Sequence, residues 1–356
     1  MKDELNLFFN KHLQKEYFSG LTCCVSIDGE VLYHEAYGKV SNQRNEICRK
    51  DTIFDLASLT KLVTTTLILQ LISNKKFTLS TSLGECLPAS VDHSILSPIT
   101  MRQLLTHTSG LISWYPFYSH LPDKNIWNIL NSINLLHTSQ NSVLYSDLNF
   151  ILLGEVLKNH YQASLSTIVS NHISKPYHLN SLSYSPSTWE SIAETEFGNQ
   201  IEMKMVNDRH YTFNNWRDVK FPIVGEVNDG NTYYFFNGES GHAGLFSNVR
   251  DLVSLGEMYV LDENQNRVID QHLLQESLKE QAPGRGLGWQ ISDPFLSGAG
   301  HTGFTGTMLF VEPEQRISVG ILTNRLNVSS PKNLYDFRKE AIQMITSYIK
   351  KERFYA

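Results

Sequence analysis

Two residues in the stretch "FDLASLTKLVTT", Phe54 to Thr65, offer chemistry that a buried apolar segment has no use for. Ser58 and Lys61 stand three apart at the head of a run carrying Leu56, Leu59, Leu62, Val63, Leu67, Ile68, Leu71 and Ile72. That spacing predicts a buried helix to about Ser73. Residues i and i+3 of a helix share a face, with Cβ atoms about 5–6 Å apart, so the Lys61 amine reaches the Ser58 hydroxyl. The surrounding leucines and valine desolvate the amine, which disfavours the ammonium form and lowers its pKa. A lysine brought down toward about 7–8 can take a proton near neutral pH. The free N–H groups and positive end of the helix also favour negative charge developing near Ser58. A serine activated by a neighbouring base is the starting point of covalent acyl transfer. Ser-x-x-Lys alone is common by chance, so its company decides its meaning.

Tyr145 opens "YSDLNF", just ahead of an amphipathic helix. It reads either as a core ring donating one hydrogen bond or as a phenol facing a cleft. His301 lies in "HTGFTG" on an expected edge strand, where Gly303 lets a ligand approach the backbone closely. Read alone, this histidine is a turn residue before it is a catalyst. His107 in "LLTHTSGL" and His242 in "GHAG" read as structural residues, with cleft lining the next role for His242. Asp229 and Asn231 in "VNDGN" are candidates for the pocket wall. No His-Glu-x-x-His or similar ligand spacing appears, and no Gly-x-Gly-x-x-Gly follows a strand. No metal and no cofactor is expected.

These groups need a frame to bring them together. A chain of 356 residues is too long for one small core and points to one large fold with sub-domains, or to two domains. With 41% hydrophobic and 19% charged residues the composition is globular throughout. A formal charge of −6 argues against a nucleic-acid binder. The start "MKDELNLFFNKHLQKEYFSG" lacks a basic region followed by an apolar one, and no run of about 18 apolar residues occurs. Neither a signal peptide nor membrane insertion is expected, and the expected compartment is the cytoplasm. Cys23, Cys24, Cys48 and Cys86 contain no Cys-x-x-Cys pair and read as free thiols. The adjacent Cys23 and Cys24 fall on opposite faces of a strand.

Residues 3–17 predict a short helix, and "LTCCVSIDGEVLYHEAYG" predicts a hairpin around Asp28-Gly29. Residues 77–100 are loop-rich, and "MRQLLTHTSGL" predicts a short helix ending near Gly110. Residues 112–128, dense in aromatics and proline, form either a loop over a cleft or a packed surface loop. "SDLNFILLGEVLKNHY" is an amphipathic helix, and residues 163–235 mix short helices with irregular chain. After residue 240 comes a glycine-rich turn, then a helix that Asn248 can cap. "GLGWQI", "GHTGFTGTMLFVEP" and "RISVGILTN" predict strands, and Asn333 to Lys350 a terminal helix. The fold class is α+β: a mostly antiparallel sheet built from both ends of the chain and flanked by helices, with a helix-rich inserted sub-domain. Residues 1–61 and 238–356 make the sheet sub-domain and 62–237 the insertion, with the active site in the cleft between them.

Ser-x-x-Lys combined with a Lys-Thr-Gly strand marks serine β-lactamases and penicillin-binding proteins. "SLTK" at 58–61, "LLTHTSGL" at 104–111, "YSDLNFILLGEVL" at 145–157, "GHAGLFSNVRDL" at 241–252, "GLGW" at 286–289 and "GHTGFTGTMLFVEPE" at 300–314 occur in that superfamily's order. The chain resembles its class C β-lactamase-like serine hydrolases, a branch that includes DD-peptidases and esterases, over about residues 20–325. The resemblance implies the β-lactamase/transpeptidase-like fold. It implies Ser58 as the acylated nucleophile, Lys61 as its base and Tyr145 as the phenol that relays protons with the lysine. It sets His301, Thr302 and Gly303 on the Lys-Thr-Gly strand, and the N–H groups of Ser58 and Phe304 in the oxyanion hole. Losing one such donor typically costs on the order of 10²–10³ in rate.

Two residues depart from the family pattern. His301 replaces a lysine, and histidine, with a reference pKa of about 6.5, is mostly neutral at pH 7. Recognition of a substrate carboxylate weakens accordingly, and histidine here is common among esterase-like members. Asp147 replaces an asparagine; an ionised carboxylate cannot donate to a substrate carbonyl. Asp147 can instead pair with Lys61 and raise its pKa, against the effect of desolvation. The expected function is a serine hydrolase acting through an acyl-enzyme on small esters or D-amino-acid peptides, and at most weakly on β-lactams. The alternative is a catalytically silent sensor of a peptidoglycan fragment. The expected partner is a small-molecule ester, peptide or β-lactam.

Overall fold

The computed structural model describes residues 1–88, 95–134, 142–186, 191–261 and 269–355. β1 (Gly20–Ile27) turns back at Asp28 and Gly29 into β2 (Glu30–Gly38). Both turn residues have positive φ, 54° and 85°, as the expected two-residue hairpin turn requires. β3 (Phe54–Asp55) and β4 (Phe246–Ser247) form a separate antiparallel pair that joins distant parts of the chain. β5 (Ala299–Thr302), β6 (Met308–Glu312) and β7 (Ile317–Thr323) come from the C-terminal part. The main sheet runs β2-β1-β7-β6-β5, every neighbouring pair antiparallel, so both ends of the chain build it, as the sequence predicts.

Each face of the sheet buries its own core. Cys23 and Cys24 point to opposite sides, one into each. The terminal helices Lys2–Gln14 and Tyr335–Tyr355 cover the Cys23 side, where Phe337 packs 5.4 Å from Phe8 and 6.1 Å from Phe9. Burying one such ring contributes about 1.5–3 kcal/mol. The other face meets helix Val249–Val260, whose first turn is capped by Asn248 Oδ1 accepting from the Asp251 N–H at 2.8 Å. A Cβ on Gly256 would lie 2.3 Å from Ser318 Oγ, so only glycine lets this helix sit so close to the sheet. Behind it, helices Thr60–Ser73 and Asp147–Tyr161 share the same large core.

"GLGWQI" is not a strand. Gly288 takes φ of 78° with Thr65 Oγ1 against the space of its missing Cβ, and only Gln290 joins the sheet, by pairing with Gly300. The "MRQLL" helix ends at Leu105, before the left-handed His107. Residues 77–100 contain the short helix Leu83–Cys86, and residues 89–94 of that segment lie outside the described residues. Among the described residues no helix is long and apolar enough to cross a membrane.

Candidate active site

β3 delivers the chain into a short 3₁₀ turn, Ala57–Leu59, and the α-helix starts only at Thr60. Ser58 therefore stands on the turn before the helix, whereas the apolar spacing predicts a continuous helix through it. Ala57 adopts φ of 46°, a left-handed conformation that costs a non-glycine residue about 1 kcal/mol or more. Asp55 holds it there: one carboxylate oxygen accepts from the Ala57 N–H at 2.8 Å and the other from the Asn228 N–H at 2.7 Å. Burial pushes Asp55 up to about 6. The glycine-rich segment before β4 docks on the chain entering the turn and on the helix, with Leu56 N–H donating to Leu245 O and Thr64 Oγ1 to Gly241 O. A Cβ on Gly241 would lie 2.2 Å from Phe150 O, so glycine is needed where this segment crosses helix Asp147–Tyr161.

Lys61 is completely buried at the meeting point of these elements. Its Nζ lies 2.9 Å from Ser58 Oγ, 2.8 Å from Asp147 Oδ1 and 3.2 Å from His242 O. Three acceptors match the three donors of an ammonium group. Burial works to lower the Lys61 pKa, but the charge of Asp147, the Tyr145 phenol and the hydrogen bond to Asp147 outweigh it, and the net shift is upward. Of the two opposing effects that the sequence left open, pairing with Asp147 outweighs desolvation. The residue that decides it is Asp147, where the family pattern has an asparagine.

Tyr145 stands at the N-terminal side of helix Asp147–Tyr161, with Lys61 Nζ 5.0 Å and the Arg285 guanidinium carbon 5.5 Å from its ring centroid. His107 holds this loop. Its Nδ1 accepts from the Ser146 N–H at 3.1 Å, its carbonyl accepts from the Leu144 N–H, and its ring packs 4.6 Å from that of Tyr145. Burial first, then the nearby Arg285 and Lys61, drive the His107 pKa well down, so it is a neutral acceptor.

On the opposite wall His301 is 3% exposed. Its Nδ1 donates to Thr302 O at 2.9 Å, which leaves Nε2 as an acceptor with no protein partner among the described residues. Burial, then the charges of Lys61 and Arg285, lower His301 to about 3. It is neutral through the physiological range, more firmly than its reference value predicts. Gly303 fits against the Ser58 turn: a Cβ there would lie 2.6 Å from Leu56 O and 2.0 Å from Thr307 Oγ1. Thr305 and Thr307 hydroxyls donate to Asp55 O at 2.7 Å and Leu56 O at 2.9 Å, bolting the β5–β6 turn to the segment ahead of Ser58. The N–H groups of Ser58 and Phe304 have no protein acceptor among the described residues.

Ser58, Tyr145, Asp147, His301, Thr302, Gly303 and Phe304 all line one cavity of about 660 Å³, with Lys61 beneath it. Asp229 and His242 line it too, paired at 3.1 Å. Burial works to raise Asp229, but His242 and Thr232 reverse the shift and hold it below the usual carboxylate range. Asn231 does not line the cavity; its side chain clamps Phe117 N and Tyr115 O. The 112–128 segment answers both of its readings: Trp114 faces the cavity, while Phe117 and Tyr118 are core. Sequence reasoning missed Glu202, Arg285, Arg325 and Arg338, which also line it. Glu202 is pushed up to about 8 by burial and by nearby Asp229. Arg285 precedes the "GLGW" motif, the one local signal that pointed toward it; Arg338 arrives from the terminal helix with none.

The family model described as Beta-lactamase matches residues 5–342. An N-acetylmuramyl-L-alanine amidase of Bacillus subtilis (strain 168) is 29% identical, over 86% of this chain and 77% of the relative. A putative D-alanyl-D-alanine carboxypeptidase of Escherichia coli (strain K12) is 26% identical, over 84% of this chain and 76% of the relative. The octameric penicillin-binding protein homologue from Pyrococcus abyssi superposes with a TM-score of 0.73 at 18% identity, covering 99% of this chain and 80% of its own. The chain belongs to the β-lactamase family and is a serine hydrolase with the β-lactamase/transpeptidase fold.

Proposed function

We propose that the protein hydrolyses small esters or the amide bonds of D-amino-acid peptides through an acyl-enzyme on Ser58, and acts at most weakly on β-lactams. The observation that carries this reading is the 2.9 Å contact of Lys61 Nζ with Ser58 Oγ beneath the shared cavity. The resting Lys61 is an ammonium paired with Asp147. When substrate fills the cavity and removes water, one proton passes from Nζ to Asp147, because a neutral pair costs less than an ion pair in a dry site. The freed amine then takes the Ser58 proton as Oγ bonds to the carbonyl carbon. The carbonyl electron pair moves to oxygen, held by the N–H groups of Ser58 and Phe304. Tyr145 gives its proton to the leaving amine or alcohol as that bond breaks, and Lys61 reprotonates the phenolate. Water releases the acyl group by the same groups in reverse.

Neutral His301 supplies an acceptor in place of the lysine cation, which disfavours β-lactams. The names of two relatives, an amidase and a D-alanyl-D-alanine carboxypeptidase, favour the peptide side of the reading. The cleft is proposed as the boundary between the sheet sub-domain, residues 1–61 and 238–356, and the helix-rich sub-domain, residues 62–237.

The test measures turnover of a p-nitrophenyl ester, a D-Ala-D-Ala peptide and nitrocefin side by side, with intact mass after a fluorophosphonate probe. Wild type is expected to gain one adduct, to lose it in Ser58→Ala, and to turn over ester or peptide faster than nitrocefin. Nitrocefin as the fastest substrate overturns the reading of His301. An unlabelled wild type indistinguishable from Ser58→Ala overturns catalysis and leaves the silent sensor.

A further inference from the structure

We propose that Asp147 selects substrates whose acyl portion carries a hydroxyl on the carbon next to the scissile carbonyl, a group it binds as an acceptor through Oδ2. The inference rests on the Ser58 acyl-enzyme reading and names the substrate class of that site. The two oxygens of Asp147 have different surroundings. Oδ1 is buried, 2.8 Å from Lys61 Nζ. Oδ2 has no protein donor among the described residues, and the side chain keeps 19% of its surface exposed where it lines the cavity. An ionised carboxylate only accepts hydrogen bonds. The proton that Asp147 takes from Lys61 during reaction enters at Oδ1, the oxygen that touches Nζ, so Oδ2 is an acceptor in both states. On the facing wall the Nε2 of neutral His301 is a second acceptor without a protein partner among the described residues.

Lys61 Nζ touches both Asp147 Oδ1, at 2.8 Å, and Ser58 Oγ, at 2.9 Å, so the carboxylate lies within about 6 Å of the acylated atom. An acyl group on Oγ carries the substituent of its next carbon about 3–4 Å from Oγ, which leaves one hydrogen-bond length to the carboxylate. The acyl group stays on Ser58 after the leaving group departs, so this contact acts in both half-reactions. A carbonyl or ether oxygen at the same place would meet Oδ2 acceptor to acceptor. An ammonium would be bound, but it would hold Asp147 ionised and keep it from taking the Lys61 proton that the reaction needs. The productive partner is therefore a neutral hydroxyl, and the class selected is esters and amides of 2-hydroxy acids.

The test compares kcat/KM for both enantiomers of the p-nitrophenyl esters of 2-hydroxypropanoic and 2-methoxypropanoic acid, in wild type and Asp147→Asn, each divided by the alkaline hydrolysis rate of the same ester. In the variant Lys61 keeps the amide oxygen, so Nδ2 faces the cavity and can donate to either ester. Taking the ratio of the two esters cancels the general loss of activity in Asp147→Asn. Wild type is expected to favour the hydroxy ester about 10- to 100-fold, the range of a hydrogen bond to a charged group, and the variant to lose that preference. The Kd values of the matching methyl ketones, which cannot be cleaved, read the same contact without turnover and are expected to show the same preference and the same loss. A wild type without the preference, or a preference retained in Asp147→Asn, overturns the role of Asp147 and spares the acyl-enzyme reading. A preference that appears only when the hydroxyl is on the leaving alcohol also overturns it. Wild type cleaving neither ester and forming no Ser58 adduct overturns both.

Discussion

Asp147→Asn removes one charge and keeps an oxygen that can accept from Lys61, so it isolates the electrostatics of the site. At 2.8 Å and an effective dielectric constant of about 20, the attraction in the Lys61–Asp147 pair is about 6 kcal/mol before desolvation is counted. Breaking one partner of a buried pair costs about 3–5 kcal/mol when the other stays charged. Asp147 keeps 19% of its side-chain surface exposed, which places the expected loss near the lower figure. The variant relieves part of this by giving up the Lys61 proton, because burial is then opposed by the Tyr145 phenol without the Asp147 charge.

The two proteins consequently differ in the sign of their pH dependence. In wild type the folded Lys61 pKa lies above its ordinary 10.5, so the contribution of this group is intact at neutral pH and is lost only as pH rises through the folded value. In Asp147→Asn the folded pKa falls below the unfolded one. The unfolded chain then binds more protons, and stability rises with pH by up to about 1.4 kcal/mol per pH unit in that window. Urea midpoints of both proteins between about pH 6 and 9, with kcat/KM for a neutral ester over the same range, test this. The stability gap is expected to narrow as pH rises, and the acid limb of the variant to move to lower pH. A constant gap with an unmoved acid limb would refute the argument that Asp147 keeps Lys61 protonated.

Neutral His301 gives a second expectation: kcat/KM shows no step near the reference imidazole value of about 6.5, and the His301 ring resonances do not titrate between about pH 5 and 8. Because its folded pKa of about 3 lies below the unfolded value, the stability linked to His301 is present above about pH 6.5 and is lost as pH falls from there toward 3. A measured His301 titration near 6.5 contradicts the burial and charge environment described. Gly303→Ala places a methyl 2.0 Å from Thr307 Oγ1 and 2.6 Å from Leu56 O, which drives the β5–β6 turn off the Ser58 turn. Thermal denaturation is expected to register about 1–3 kcal/mol of lost stability, and ester assays a fall in kcat larger than any change in KM. Full activity at an unchanged midpoint would show that the two walls are not in contact at this point.

Much of the frame was legible in the sequence because it is local. The Asp28-Gly29 turn, the capping Asn248 and the apolar spacing of residues 62–72 and 148–157 each fix an element through neighbours a few residues away. "GLGWQI" misled for the same reason: its composition suits a strand, but the close approach of Thr65 to Gly288 bends it into a turn, and no local pattern records that contact.

By itself the sequence determined the types and order of the candidate reactive groups: a serine with a lysine three residues on, a tyrosine before a helix, and a glycine-bounded strand opening with histidine where the resemblance expects lysine. Tertiary structure decided their charge states and their company. Lys61 and Asp147 lie 86 positions apart yet touch, His301 is neutral because its ring is buried and, after that, because Lys61 and Arg285 are near, and Arg285 faces Tyr145 from the turn before "GLGW". Whether a buried amine keeps its proton depends on through-space charge and loss of water, and both exist only once distant segments have folded together.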